Sequence, residues 1–444
     1  MKRLILAWFP TVRVAYVLVA LWVCAVVSTW VPVMLQVTYA LMCVSVIAML
    51  IETVMLWKRG ASVAAWRTME DKLSNGEFNV VRVHIDVTYP HDVELTIIDE
   101  LPFQLQERKL HFPWMRYTGS PITLSYEIRP VTRGTYSFGS INVFVRGRMG
   151  LVQRRFQCDA QRAAYVHPSI MEMRRADLAT FSSQRGRYGV HRQRRLGHTM
   201  EFEKVSQYVP GDDVRTINWK ATARRSSLMV NQYQDEQSQD VYSAIDLGRS
   251  MRYANDGMTM LDYAVNSALA FSNVVIKKHD RVGLITYGSH SGSILPAQAT
   301  KAQLGAVMRR LYNVETDFAQ SDDEQLIEIV RSRIRSRSLV MLFTNIESVD
   351  ATRRRLPAFR LIARSHVLVV NFFDNLSIRE LVSHPSENVE GIYRQAIARS
   401  TVMEKKEIFN ELRRAGIYAV LSPPNGLSVH AINAYLDLKA RGVV

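Results

Sequence analysis

The stretch DVYSAIDLGRS, Asp240 to Ser250, decides the fold of the C-terminal half. Val241 to Asp246 reads as a strand, short and largely apolar, and the chain leaves it through Leu247 and Gly248. Similar runs recur at residues 282–287, 339–344, 367–373 and 418–421. Helical patterns lie between and after them, at residues 259–278, 301–311, 325–335, 350–363, 388–415 and 428–439. Continuous apolar strands alternating with helices predict a mostly parallel sheet covered on both faces. Ligands of such sheets bind beyond the carboxyl ends of the strands, so Asp246 to Ser250 is the first place to look for chemistry.

Upstream lies GHTMEFEKVSQYVPGDDVRTINWKATARR, Gly197 to Arg225. Pro210-Gly211 marks a turn, because proline fixes one backbone angle and glycine tolerates positive φ. Acids (Glu201, Asp212, Asp213), bases (Arg215, Lys220, Arg224, Arg225) and Trp219 crowd around it. One reading is a structural clasp, a ring of ion pairs with Trp219 packed beneath. The other is a binding site that presents Glu201, Asp212 and Asp213 to a basic partner. Apart from His198 no histidine stands at a useful spacing, and no serine or cysteine nucleophile has an obvious base.

The order G-x-x-x-E-F-x-x-x-x-x-Y-x-x-G-D-D-x-R-x-I-x-W-K-A-T-A-R resembles the signature of the bacterial family called domain of unknown function 58. Glu201, Phe202, Tyr208, Gly211, Asp212, Asp213, Arg215, Ile217, Trp219, Lys220 and Arg224 match it. The family usually carries Arg-Glu before the tyrosine, where this chain has Ser206-Gln207. Asp99-Glu100-Leu101-Pro102, Arg133-Gly134-x-Tyr136-x-Phe138-Gly139 and Met149-Gly150-Leu151 extend the resemblance.

The end of the first strand, Asp246-Leu247-Gly248-Arg249-Ser250, is similar to the D-x-S-x-S motif of von Willebrand factor A domains. In that family the aspartate, two hydroxyls, a later threonine and a later aspartate surround one Mg2+, a hard cation that takes oxygen ligands in octahedral geometry. Asp246 and Ser250 match, and Thr316 stands where the threonine belongs. Gly248 replaces the first serine and Asn345 the later aspartate. A set of Asp246, Ser250, Thr316 and Asn345 is short of one hydroxyl and one charge, so Mg2+ is expected to bind weakly or not at all. Asp246 and Ser250 then hold the loop and cap the following helix.

Residues 14–31 are almost wholly apolar and residues 33–57 nearly so, with Pro32 between them. Each is long enough to span a hydrocarbon core. Lys2, Arg3 and Arg13 precede the pair and Lys58, Arg59 and Arg67 follow it. The positive-inside rule then places both ends in the cytoplasm. Residues 1–60 are therefore read as a transmembrane hairpin in a bacterial inner membrane, with Glu52 reaching the headgroup region. From residue 61 to 170 short alternating strands, such as Val81, Val83, Ile85 and Val87 against Arg82, His84, Asp86 and Thr88, are broken by glycine turns. That pattern predicts an antiparallel β-sandwich. Residues 171–196 read as an arginine-rich linker, 197–235 as the signature segment and 236–444 as the α/β domain.

Basic residues outnumber acidic ones, 56 to 41, for a net charge of +15. That excess suits a surface facing anionic lipid. No stacking platform or recognition helix accompanies it, so a specific nucleic-acid partner is not expected. The three cysteines have no zinc spacing and imply no disulfide framework. The fold class is thus multidomain: hairpin, antiparallel β-sandwich, then a doubly wound α/β domain. The expected function is that of a membrane-anchored, cytoplasm-facing adaptor rather than an enzyme. The family resemblance implies a MoxR-type AAA+ ATPase as partner, in assembly or maturation of other proteins. The alternatives are a metal-dependent hydrolase at Asp246, Ser250 and Thr316, and anionic lipid or nucleic-acid binding through the arginine runs.

Overall fold

The computed structural model describes residues 7–31, 33–58, 60–106, 110–117, 119–169, 172–173, 200–210, 214–225, 227–235, 238–289, 292–383 and 388–443. The chain forms two compact units, Met1–His167 and Pro168–Val444.

The first unit contains two apolar helices, Val12–Val27 and Val33–Leu56. The second has 24 residues and a mean hydropathy of 2.1. At ~1.5 Å per residue it is long enough to cross a core of ~30 Å. The first has only 16 residues, so one helix rather than two has the length and composition of a full span. Just past the end of the first, Ser28 and Thr29 donate their hydroxyls to the Ala25 and Val26 carbonyls, each at 2.7 Å.

Sequence patterning did not anticipate the strand Trp8–Pro10, which pairs antiparallel with Val152–Cys158 at the edge of a five-stranded sheet. Nor does Glu52 reach toward a headgroup region. It is 3% exposed, and its carboxylate accepts from the backbone N–H groups of Gly150 (2.7 Å), Leu151 (2.7 Å) and Val152 (3.0 Å). Thr11 Oγ1 donates to the Gly150 carbonyl at 2.5 Å and Arg13 to the Met149 carbonyl at 2.6 Å. A buried carboxylate persists where hydrogen bonds replace its water. Here three amides do so, and they tie the long apolar helix to the turn at Met149-Gly150-Leu151.

The rest of the unit is three β-sheets, one of five strands and two of three. Pairing is antiparallel as expected, except that Lys72–Ser74 runs parallel to Arg162–His167. The alternation in Asn79–Thr88 does place Val81, Val83, Ile85 and Val87 in the core. The acids of the Asp99-Glu100 motif are structural. Asp99 is buried against Arg67 and Tyr126. Glu100 accepts from Ser140 N at 3.0 Å and Asn142 Nδ2 at 2.7 Å. A Cβ on Gly139 would meet that same carboxylate at 2.5 Å, which explains the glycine.

The second unit begins with an antiparallel pair, Met200–Gln207 and Met229–Asp235, with the short helix Trp219–Arg225 between its strands. A six-stranded sheet follows. Its spatial order is Ser293–Gln298, Arg281–Tyr287, Asp240–Asp246, Leu339–Phe343, Val367–Phe373, Tyr418–Ser422. All neighbours are parallel except the first edge pair. The edge strand Ser293–Gln298 was not expected. It contains Pro296 and is only partly covered, so it lacks the apolar run of the central strands. The helix Leu376–Ser383 is also additional.

The first strand, Asp240–Asp246, sits at the centre, with the next parallel strand on one side and Leu339–Phe343 on the other. The connection after Asp240–Asp246 and the one after Leu339–Phe343 run in opposite directions and open a crevice at the carboxyl ends of those two strands. The helices there start at defined caps. Thr259 and Asp262 form a reciprocal box at the start of Met260–Lys277. Ser348 Oγ accepts from Ala351 N at 3.1 Å at the start of Val349–Ser365.

Candidate functional site

Asp246 closes the central strand and is fully buried. Its Oδ1 accepts from Gly248 N at 2.8 Å and from the Ser321 hydroxyl. Its Oδ2 accepts from Thr344 Oγ1 at 2.5 Å and from Arg355 Nη2 at 3.3 Å. A carboxylate offers about four acceptor positions, and here four donors use them.

Arg355, on the helix Val349–Ser365, supplies the cation. Its Nε donates to Asp323 at 2.8 and 3.2 Å and its Nη1 to Thr344 Oγ1 at 2.9 Å. Its Nη2 also reaches the Tyr287 hydroxyl and Asp323 Oδ1, both at 2.8 Å. The side chain is 11% exposed and lies over the Phe359 ring at 5.1 Å. The rigid fork of a guanidinium suits this many planar contacts. Burial pushes the Asp323 carboxyl upward against the pull of Arg355, and pushes the Tyr287 phenol well up.

Of the four residues expected to surround a metal, Asp246 and Asn345 are engaged by the chain's own groups. Asn345 donates its amide to the Ser250 carbonyl at 2.9 Å, which ties those two together beside the crevice. Thr316 lies in the loop that meets Leu247 through the Asp317 amide, at 2.6 Å, and makes no hydrogen bond to Asp246. Gly248 is more than a lost hydroxyl. A Cβ there would sit 2.0 Å from Ser321 Oγ and 2.8 Å from Ser321 N, so Ser321 occupies the space a serine at 248 needs. With every acceptor of Asp246 engaged and a guanidinium against it, these residues do not fit a Mg2+ site. Among the described residues no cluster of three or more His, Cys, Asp or Glu could hold a metal.

Sequence reasoning missed Tyr287, Ser321, Asp323, Thr344 and Arg355. A signal existed for the last. Thr352, Leu356, Phe359 and Ile362 are buried along one helix face, and Arg355 falls in phase with them, whereas Arg353 and Arg354 do not.

A crevice of about 110 Å3 opens beside the cluster, lined by Arg249, Ser250, Ser321, Asn345 and Arg354 among others. A larger pocket of about 270 Å3 adjoins it, with Phe373, Ile378 and Val402 as apolar walls and Lys405 among its polar ones. The Lys405 ammonium donates to the Ile346 carbonyl at 2.5 Å, and burial pushes its pKa down.

The described part of the signature segment is a short capped helix, and the ion-pair ring of the clasp reading falls on residues outside the description. Asn218 caps the helix Trp219–Arg225 by accepting from Ala221 N at 3.0 Å, and its Nδ2 donates to Asn231 Oδ1 at 2.8 Å. Thr222 Oγ1 accepts from Met229 N at 3.0 Å. These contacts turn positions 218 and 222 inward, so helical phase turns Trp219, Lys220 and Arg224 outward. Trp219 does not pack beneath the turn; it is 70% exposed, with Val209 and Val214 exposed to 62% and 64%. Lys220, Arg224 and Arg225 line an open depression of about 410 Å3 and make no ion pair among the described residues. Asp212 and Asp213 lie outside the described residues, as do the side chains of Glu201 and Arg215 and most of the arginine-rich linker.

The uncharacterized protein YeaD of Bacillus subtilis is 25% identical over 219 residues, 48% of this chain and 50% of that protein. The uncharacterized protein Rv1480 of Mycobacterium tuberculosis is 21% identical over 223 residues, 47% of this chain and 70% of that one. The match thus spans half the length of YeaD. Proximal thread matrix protein 1 from the mussel byssus aligns with a TM-score of 0.27 at 12% identity over 45% of each chain, too low a score to bear on the fold. The family model described as protein of unknown function DUF58 matches residues 204–379, a span that holds Trp219, Asp246, Asn345 and Arg355.

Proposed function

We propose that the chain is a membrane-anchored interaction protein whose partner face is built by Trp219, Lys220 and Arg224. The observation that carries this reading is the exposure of Trp219 to 70% together with the exposed Val209 and Val214. A short helix held in place by its inward residues, yet showing to solvent a tryptophan and three cations with no ion pair among the described residues, resembles the buried centre of an interface before its partner arrives. Trp and Arg are among the residue types that dominate such centres. The cations favour an acidic partner surface, the reverse of the basic partner that the signature acids pointed to.

By family resemblance the partner is a MoxR-type AAA+ ATPase, and the work is assembly or maturation of other proteins. The α/β unit serves as a von Willebrand factor A-like platform that runs no reaction. Two membrane helices with cytoplasmic ends complete the proposal, the shorter Val12–Val27 spanning beside Val33–Leu56. Full-length protein in detergent, with Trp219→Ala and Lys220→Glu as variants, tests it against a purified MoxR-type ATPase. Loss of capture with an unchanged unfolding midpoint is the expected result. Capture at wild-type strength by both variants would reject this face.

A further inference from the structure

The crevice where the two central strands end is where the resembled A-domain motif places a divalent cation. We infer that Arg355 is the resident cation of this site: its guanidinium does permanently what Mg2+ does in the metal-bearing motif, and its removal uncovers a latent divalent-cation site. Three observations carry this. The guanidinium contacts an oxygen set of the kind a hard cation takes, namely Asp246 Oδ2 (3.3 Å), Asp323 (2.8 Å), Thr344 Oγ1 (2.9 Å) and Tyr287 Oη (2.8 Å). Both carboxylates are buried or nearly so, at 0% and 16% exposure. They need a compensating positive charge, since an unpaired buried charge is strongly unfavourable. Finally, the changes that strip the metal motif are filled by this chain's own groups: Ser321 takes the space at Gly248, and Asn345 spends its amide on the Ser250 carbonyl.

A divalent ion added to the wild-type protein would meet a guanidinium at hydrogen-bond range of both acids, and no free acceptor on Asp246. The wild-type crevice therefore takes no divalent ion. The inference concerns a different surface from the Trp219 face and holds or fails without it.

The test is thermal unfolding of the full-length protein in detergent, with and without millimolar Mg2+ or Mn2+, beside a calorimetric titration with Mn2+. Wild type is expected to show no saturable heat and no shift in midpoint. Arg355→Ala is expected to unfold at lower temperature and to regain part of the loss on adding Mn2+, in a saturable manner that Asp246→Asn in the same background abolishes. Arg355→Lys keeps the charge and is expected to remain blind to Mn2+. If Arg355→Ala does not fold, the wild-type titration and Arg355→Lys decide. Saturable Mn2+ binding by wild type that Asp246→Asn removes overturns the inference, as does a folded Arg355→Ala variant that ignores Mn2+.

Discussion

Replacing Glu52 by glutamine preserves the length of the side chain and removes its charge. In the wild type Oε1 accepts from Gly150 N at 2.7 Å, and Oε2 from Leu151 N at 2.7 Å and Val152 N at 3.0 Å. A carboxamide has one oxygen. Its best placement is at Oε2, which keeps two of the three bonds and aims an NH2 at the Gly150 N–H. One hydrogen bond to a charged acceptor is worth ~1.5–3 kcal/mol, and a buried donor left unmade costs a similar amount. The other bonds weaken as the charge goes, while Thr11 and Arg13 still hold the same turn. A local loss of about 2–3 kcal/mol follows, and at ~1.4 kcal/mol per tenfold that is roughly a 30- to 150-fold rise in local opening. Amide hydrogen exchange reads it directly, in the peptide covering residues 147–156 of the full-length protein in detergent. The strand Val93–Asp99, two places further into the same sheet, is the internal control. Exchange at 150–152 that is unchanged in Glu52→Gln would refute the reasoning, because those amides would then owe their protection to something other than the carboxylate.

Gly248→Ser restores the serine of the metal motif, yet it is expected to lower the unfolding midpoint, by an overpacking cost of about 1–3 kcal/mol, and to confer no Mg2+ response. A variant as stable as wild type would show that Ser321 does not fill that space. His366 is buried, and burial lowers its pKa, while the Ser338 amide donates to its Nδ1 at 3.3 Å. The unfolded chain therefore takes up a proton before the folded one does. Stability is full above the unfolded pKa of ~6.5 and falls as pH drops below it, by at most ~1.4 kcal/mol per pH unit until the folded pKa is reached. His366→Gln is expected to flatten that slope between pH 7 and 5 in urea titrations; an unaltered slope assigns the effect elsewhere.

How much was legible depends on what kind of order a residue takes part in. The central strands of the α/β sheet were readable to within a residue or two because covering both faces forces an apolar run, and Val367–Phe373 is such a run. The edge strand Ser293–Gln298 was not, because an edge needs no such run and admits Pro296. The strand Trp8–Pro10 exists only through its pairing with Val152–Cys158, about 140 positions away, and three residues carry no periodicity of their own. At the candidate site, Asp246 was found because a short local motif marks it. Its partners were not found, because Ser321, Asp323, Thr344 and Arg355 come from three other segments and meet only once the sheet is closed. Arg355 illustrates the limit best. Within Arg353-Arg354-Arg355 it looks like one more solvated charge, and composition cannot separate the three. Helical phase can, since a position three after Thr352 and four before Phe359 must face the core. An arginine forced inward needs acids, and the two within reach are Asp246, the carboxylate of the resembled metal motif, and Asp323. An in-phase arginine on the helix that follows the Thr344 strand is therefore the sequence feature to seek when asking whether a degenerate site of this kind has lost its cation or replaced it.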